Sequence, residues 1–363
     1  MSNNGKTFSN DILRHKAFLK RLQNGGNVVV AEGYIFEFER KGYLQAGTFV
    51  PEVTIEHPDL VRLMYEEFVH AGSDVVLAFT YYAHREKLRL IGREDDLDKI
   101  NATALRMARE VADKHGCLMA GNICNSSVYL PDDESTHAIT EEMFKEQIVL
   151  AVEHGADYIV GETFGHIGEG MLALECIKKY GNGLPAVITM SAPSGHTFID
   201  GTDIVDGIKS LEDAGAAVVG LNCGRGPETM LPLLKEIKQV CKGPVAALPV
   251  TYRTTSDEPT FFSLTIPGTK SRAFPLDLCA CLCSRQQIAE FARECKNIGI
   301  EYVGLCCGNS ANMTRIVAEA YGRTPPACKY SPAMEKHFIF GEKSKFKNEY
   351  TDKLRAHIGG DFD

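Results

Sequence analysis

An α/β fold, closed as a barrel of eight parallel strands that alternate with helices, is what this sequence predicts, and three observations carry the prediction. Eight short apolar runs recur along the chain, each rich in the Val, Ile and Ala that strands covered on both faces require. Helical patterns lie between them, several ending in the Gly that stops a helix just ahead of the next strand. The chemistry-bearing residues Glu32, Tyr81, Tyr82, Glu162, Cys223, Cys306 and Cys307 all fall at the carboxyl ends of those runs. Such a barrel routinely takes roughly 250 residues or more as one unit, so a 363-residue chain does not demand two domains. The expectation is a TIM-type (β/α)8 barrel over residues 1–325 with a C-terminal extension over 326–363. An open, doubly wound sheet is the structural alternative, and it would bind ligands at a switch point instead of on a shared rim.

In chain order, residues Asp11 to Asn24 (DILRHKAFLKRLQN) have helical spacing and stop at Gly25-Gly26, giving a helix ahead of the first strand. The strands follow as Asn27 to Gly33, Asp74 to Ala83, Cys117 to Cys124, Asp157 to Phe164, Pro185 to Ala192, Ala216 to Cys223, Pro244 to Thr251 and Glu301 to Gly308. Helical patterns between them include HPDLVRLMYEEFVHAG, INATALRMAREVADKHG, TEEMFKEQIVLAVEHG, DIVDGIKSLEDAG, ETMLPLLKEIKQV and SRQQIAEFARECKNIG. One long break, Tyr252 to Phe274, is rich in Thr, Ser and Pro, and a loop of that length is usually functional or disordered. From Pro325 onward the barrel pattern ends, and Phe338, Phe340, Phe346 and Tyr350 make this stretch a candidate oligomerisation arm.

A formal charge of -9 with dispersed acidic residues offers no attraction to nucleic acid or to an anionic membrane, which leaves small-molecule chemistry as the expectation. The start, MSNNGKTFSND, lacks a secretory pattern, and no apolar run approaches the roughly 20 residues that span a bilayer. A cytoplasmic protein is expected, with its 12 cysteines as reduced thiols, some of them metal ligands.

Cys306 and Cys307 are adjacent, so they can converge on one target only where the strand has stopped being regular, a distortion that Gly304 and Gly308 permit. With Cys223 at another strand end, three thiolates would form a soft site suited to zinc with a fourth position open to substrate. The plain alternative, buried cysteines acting as small hydrophobes, fits a lone CC pair better than this matched set. Cys279, Cys281 and Cys283 form a C-x-C-x-C run without a further ligand at metal spacing, so packing at the barrel base or beneath the long loop is the simpler account. His166 in TFGHIGEG either contacts substrate or caps the next helix.

Together, GLNC and YVGLCCG at two strand ends resemble the zinc-dependent homocysteine S-methyltransferases. The likeness is greatest to the betaine-homocysteine branch, through FERKGYLQAGTFVPEVTIEHPDLVRLMYEEFVHAGSDV, AFTYYA, VGETFGHIGE and RAFPLDLCACLCSRQQIAEFARE, and it runs from about Ile12 to Pro325. NCGRGPETM is similar to the homocysteine module of cobalamin-dependent methionine synthase, without that enzyme's cobalamin or folate modules. The resemblance implies Cys223, Cys306 and Cys307 as zinc ligands, Glu162 as the holder of the homocysteine amino group, and Glu32 with Gly33 in the place of an Asp-Gly pair of similar task. The plain alternative for both glutamates is a buried or rim carboxylate paired with Lys or Arg.

A methyl-onium donor calls for aromatic faces, and Tyr81, Tyr82, Phe49, Tyr34 and Phe164 are candidates. Phe49 stands where the betaine enzymes have Trp, and Thr163 where they have Tyr, so the chain, which contains no Trp, departs at two cage positions. A free thiol near a pKa of about 8.5 is mostly protonated at neutral pH, while coordination to zinc deprotonates it. The expected reaction moves a methyl group from a small onium donor, glycine betaine first, to the thiol of homocysteine and gives methionine. Dimethylsulfoniopropionate, S-methylmethionine and a separate methyl-corrinoid protein are the alternative donors, and a non-catalytic zinc-binding barrel is the reading from another class. A homo-oligomer is expected.

Overall fold

The computed structural model describes residues 18–22, 25–341 and 347–358. Eight strands form one parallel sheet: β1 (Val28–Ala31), β2 (Val75–Leu77), β3 (Leu118–Cys124), β4 (Tyr158–Phe164), β5 (Ala186–Met190), β6 (Val218–Asn222), β7 (Val245–Leu248) and β8 (Tyr302–Leu305). Each lies inside a predicted run. The order β1-β8-β7-β6-β5-β4-β3-β2 brings the first and last strands together, with Val28 to Ala31 in register with Tyr302 to Leu305. At the β1/β2 seam a side chain completes the ring, because Asp74 N donates to Val29 O (2.7 Å) while Val29 N donates to Asp74 Oδ2 (2.8 Å). The fold is the (β/α)8 barrel, not an open sheet.

The six quoted helical patterns appear as α3 (Pro58–Ala71), α5 (Leu97–His115), α6 (Glu134–Glu153), α8 (Ile204–Asp213), α9 (Pro227–Val240) and α10 (Arg285–Asn297). Two further barrel helices, α7 (Ile167–Tyr180) and α11 (Ala311–Ala320), follow β4 and β8. Shorter helices α1 (Tyr34–Arg40), α2 (Val53–Glu56) and α4 (Arg85–Arg89) lie in the loops above β1 and β2, and α12 (Asn348–Ile358) lies in the tail. Gly72 and Gly116 end α3 and α5 in the left-handed conformation, as their place in the sequence requires.

One end of the barrel is plugged. Phe18, fully buried, stacks on Tyr158 at 4.1 Å, and Tyr158 Oη lies 3.1 Å from Tyr302 Oη across the interior. Residues 18–22 of the predicted leading helix are helical, while 11–17 and 23–24 lie outside the described residues. With that end filled, access to the strands is from their carboxyl ends. The long break is folded: Thr265 bridges Arg272, Phe261 is stacked parallel to Tyr252 with centroids 6.0 Å apart, and Phe261 N donates to Gly224 O at 2.9 Å. In the tail, Phe338 and Tyr350 are exposed and Phe340 is half-buried, whereas Phe346 lies outside the described residues.

Candidate metal and substrate site

β8 ends at Leu305, one residue before the cysteine pair. Cys306 N donates to Pro249 O (2.8 Å) and Thr251 N to Cys307 O (3.0 Å), so the pair runs through an irregular turn pinned to the loop after β7. Cys223 leaves β6 with φ of 56° and Gly224 follows at 64°. The Cys223 and Cys307 Sγ atoms are 3.5 Å apart, Cys306 and Cys307 3.9 Å, and all three lie within 4.8 Å of one another. A tetrahedral ion with sulfur arms of about 2.3 Å needs sulfurs about 3.8 Å apart, so both the spacing and the soft donor set fit zinc. Contact with the other two thiols holds Cys223 well below the usual thiol range, while contact with Cys223, together with burial, pushes Cys306 and Cys307 above it.

Beside them stand two buried carboxylates. Glu162, on β4, accepts from Asn122 Nδ2 at 2.7 Å and from Asn222 Nδ2 at 3.0 Å. Asn222 also orients Thr163, donating to its Oγ1 (2.7 Å) and accepting from its backbone N (2.9 Å). Glu32 is 1% exposed, and among the described residues its carboxylate oxygens have no backbone or amide donor and face the Glu162 carboxylate. A carboxylate oxygen from each and the Cys306 Sγ lie within 4.8 Å of one another. Burial pushes Glu162 up to about 7, against the pull of Asn122. Burial, with Glu162's charge adding to it, raises Glu32 well above the carboxylate range. Neither glutamate makes an ion pair among the described residues, so the plain alternative of a rim ion pair does not hold. Two buried acids without a counter-cation among the described residues have the chemistry to pair with a cation.

Two hollows are lined here by sequence neighbours, Tyr81 and Glu162 on one and Tyr82 and Thr163 on the other. A cavity of about 30 Å³ is lined by Gly33, Tyr34, Tyr81, Glu162, Cys306 and Cys307 among others. A cleft of about 510 Å³ has Tyr82, Thr163, His166, Glu169, Gly224 and Phe262 in its walls. Tyr81 and Tyr82 lie between them with ring centroids 4.3 Å apart. Phe49 lines neither hollow and packs on Phe36 at 5.4 Å. Phe164 is buried against Phe144. His166 occupies the N-cap position of α7 without a capping bond from its side chain, and its Nδ1 is buried without a partner. Cys281 and Cys283 are buried beneath the long loop, where Cys281 Sγ donates to Thr265 O (3.5 Å), and Cys279 is exposed. No metal-ligating cluster among the described residues includes them.

Of the six non-glycine residues with positive φ among the described residues, Phe49, Tyr82, Thr163 and Cys223 were all marked by the sequence as site residues. Left-handed backbone in such residues is strained and persists where the surroundings enforce it, often at functional sites. Asn122 and Asn222 are the site residues that sequence reasoning passed over. Their signal was a polar residue inside an apolar strand, in AGNIC and GLNC.

The family model for homocysteine S-methyltransferase matches residues 32–321. The chain belongs to the homocysteine S-methyltransferase family. Among family members, it is 30% identical to betaine-homocysteine S-methyltransferase 1 of Rattus norvegicus, over 95% of this chain and 86% of the relative. It is 31% identical to S-methylmethionine-homocysteine S-methyltransferase of Pongo abelii, over 96% and 95%. The metallated homocysteine methyltransferase MmuM from Escherichia coli superposes with a TM-score of 0.64 at 17% identity, covering 84% of this chain and 99% of that one, which supports the shared barrel. The protein is accordingly an enzyme, a homocysteine S-methyltransferase.

Proposed function

We propose that this methyltransferase is zinc-dependent and takes its methyl group from a small methyl-onium compound, with glycine betaine the first donor to test. The observation that carries the reading is the placement of three sulfurs, spaced for one tetrahedral ion, directly beside two buried carboxylates that lack a counter-cation. That pairing matches the two ends of homocysteine, a thiol and an ammonium. Cys223, Cys306 and Cys307 would hold the ion, and zinc when bound keeps a coordinating thiol deprotonated. Glu162, steadied by Asn122 and Asn222, and Glu32 receive the ammonium, while Gly33 lets the β1 loop approach the cysteine turn.

Methyl transfer forms a bond from the homocysteine sulfur to the methyl carbon as the donor's carbon–nitrogen or carbon–sulfur bond breaks. The departing electron pair leaves with the neutral amine or thioether, so no group of the protein has to take a proton at that step. The protein's work is alignment, which can contribute roughly 7–11 kcal/mol when the geometry is right. Tyr81 and Tyr82 offer aromatic surface between the hollows, supporting an onium donor. No helix among the described residues is long and apolar enough to cross a membrane, and a cytoplasmic homo-oligomer assembled through the segment beyond residue 325 is part of the proposal.

Cys223→Ala tests it: bound zinc and methionine formation should be lost together while the circular dichroism spectrum is kept. Retained zinc and turnover would overturn the ligand assignment. Activity that appears only with a methyl-corrinoid protein added would replace the onium donor, and zinc binding without turnover of any donor would favour a binding protein.

A further inference from the structure

A cation already sits on Tyr82. Lys87, on α4, places its Nζ 4.1 Å from the centroid of the Tyr82 ring. Tyr81 packs at 4.3 Å, and His84 meets the ring edge-on at 5.9 Å. Tyr82 itself lines the cleft of about 510 Å³, whose wall also holds Thr163 and Gly224. One face of this cleft-lining ring is therefore held by the protein's own ammonium.

Lys87 is half-buried, and among the described residues its ammonium makes no ion pair and no hydrogen bond, unlike the side chains of its neighbours Arg85, paired with Glu146, and Arg89, paired with Glu86. Burial also lowers its pKa below the usual lysine value, in keeping with an uncompensated charge. No lysine or arginine lines the cleft. An unpaired ammonium on a flexible four-carbon stem, resting on a ring that lines a cleft without a fixed cation, is a receptor for an anion. The ring face and the ammonium are thus adjacent halves of one site, each now satisfying the other.

We infer that Lys87 is a specificity-determining residue that selects donors carrying a carboxylate together with the methyl-onium group. On binding, the onium displaces the Lys87 ammonium from the Tyr82 face, and the released ammonium pairs with the donor's carboxylate. Zwitterionic onium carboxylates, such as glycine betaine or dimethylsulfoniopropionate, satisfy both halves. A bare onium satisfies only the ring and must compete with Lys87. This inference rests on the onium-donor reading above.

The test is Lys87→Met in the zinc-loaded enzyme, with Lys87→Arg as the charge-retaining control. Two constants are measured, the KM for glycine betaine and the inhibition constant for tetramethylammonium, which has no carboxylate. Losing a charge-assisted bond should raise the betaine KM about tenfold or more, and Lys87→Arg should restore much of it. Removing the competing cation should lower the tetramethylammonium constant about two- to fivefold. The KM for homocysteine should stay within about twofold, because the change lies outside its pocket. Opposite movement of the two constants is the signature, since general loosening of the loop would weaken both ligands. Unchanged constants, or movement in the same direction, would overturn the inference. A wild-type enzyme that turns over no onium donor would instead overturn the donor reading itself.

Discussion

Replacing Gly33 by Ala tests how closely the β1 loop is fitted to the cysteine turn. Gly33 has φ of 83°, and a Cβ there would lie 2.2 Å from Cys306 O, 2.4 Å from Cys306 C and 2.9 Å from Cys307 N. These are backbone atoms, so no side chain can swing aside. About 1 Å of separation must open before the contact is tolerable. The left-handed conformation costs Ala about 1–2 kcal/mol in addition, which lowers Tm by a few degrees. The displacement falls on two of the three sulfurs, and a misplacement of about 1 Å can cost on the order of 100-fold in rate. Gly33→Ala should therefore stay folded, bind zinc more weakly, and form methionine about 100-fold more slowly. Circular dichroism melting, metal analysis after gel filtration and a methionine assay read the three effects. A variant with full zinc and activity within about twofold of wild type would refute the reasoning.

Two further outcomes follow from the same geometry. Glu162→Gln removes the charge from the acid that Asn122 and Asn222 steady, and loss of one charge-assisted bond is worth about 1.5–3 kcal/mol, so the KM for homocysteine should rise about 10- to 100-fold while zinc is retained. An unchanged KM would remove Glu162 from amino-group binding. His84 is 2% exposed with no acidic partner among the described residues, and burial, with Lys87's charge adding to it, pushes its pKa down to about 3 against a weak pull from the Asn125 backbone. The folded state binds this proton less readily than the unfolded chain, so the stability at stake is present above about pH 6.5 and is lost as pH falls from there toward 3. Denaturant unfolding between pH 6.5 and 5 should lose up to about 1.4 kcal/mol per pH unit more in wild type than in His84→Phe, and equal slopes would contradict the buried neutral imidazole.

The barrel was legible because its signals are local. Apolar runs such as NVVVAEG and DYIVGETF repeat between helices stopped by glycine, and burial on both faces leaves them little freedom to be anything else. The cysteine triad was legible because the bend that lets adjacent residues converge is written in the flanking Gly304 and Gly308. Contacts between units were not. Asn122 and Asn222 come from different strands to one carboxylate, and neither stretch reveals the other. The β1/β2 seam depends on the Asp74 side chain, which reads as an ordinary strand-leading acid. Phe49 was chosen by position in a resemblance, yet its ring direction depends on Phe36, which the sequence could not orient. Lys87 over Tyr82 depends on the left-handed turn at Tyr82, which no residue type announces.

The central claim is zinc-dependent methyl transfer from an onium donor to homocysteine. The most direct measurement is mass-spectrometric detection of labelled methionine from homocysteine and methyl-labelled glycine betaine, dimethylsulfoniopropionate or S-methylmethionine. It is made with zinc-loaded protein, with protein stripped by a chelator, and with stripped protein given zinc again. The account predicts label in methionine from an onium donor in the first and third samples and its loss in the second. Equal label in all three would contradict the role of zinc, and no label from any of the three donors would contradict the onium reading.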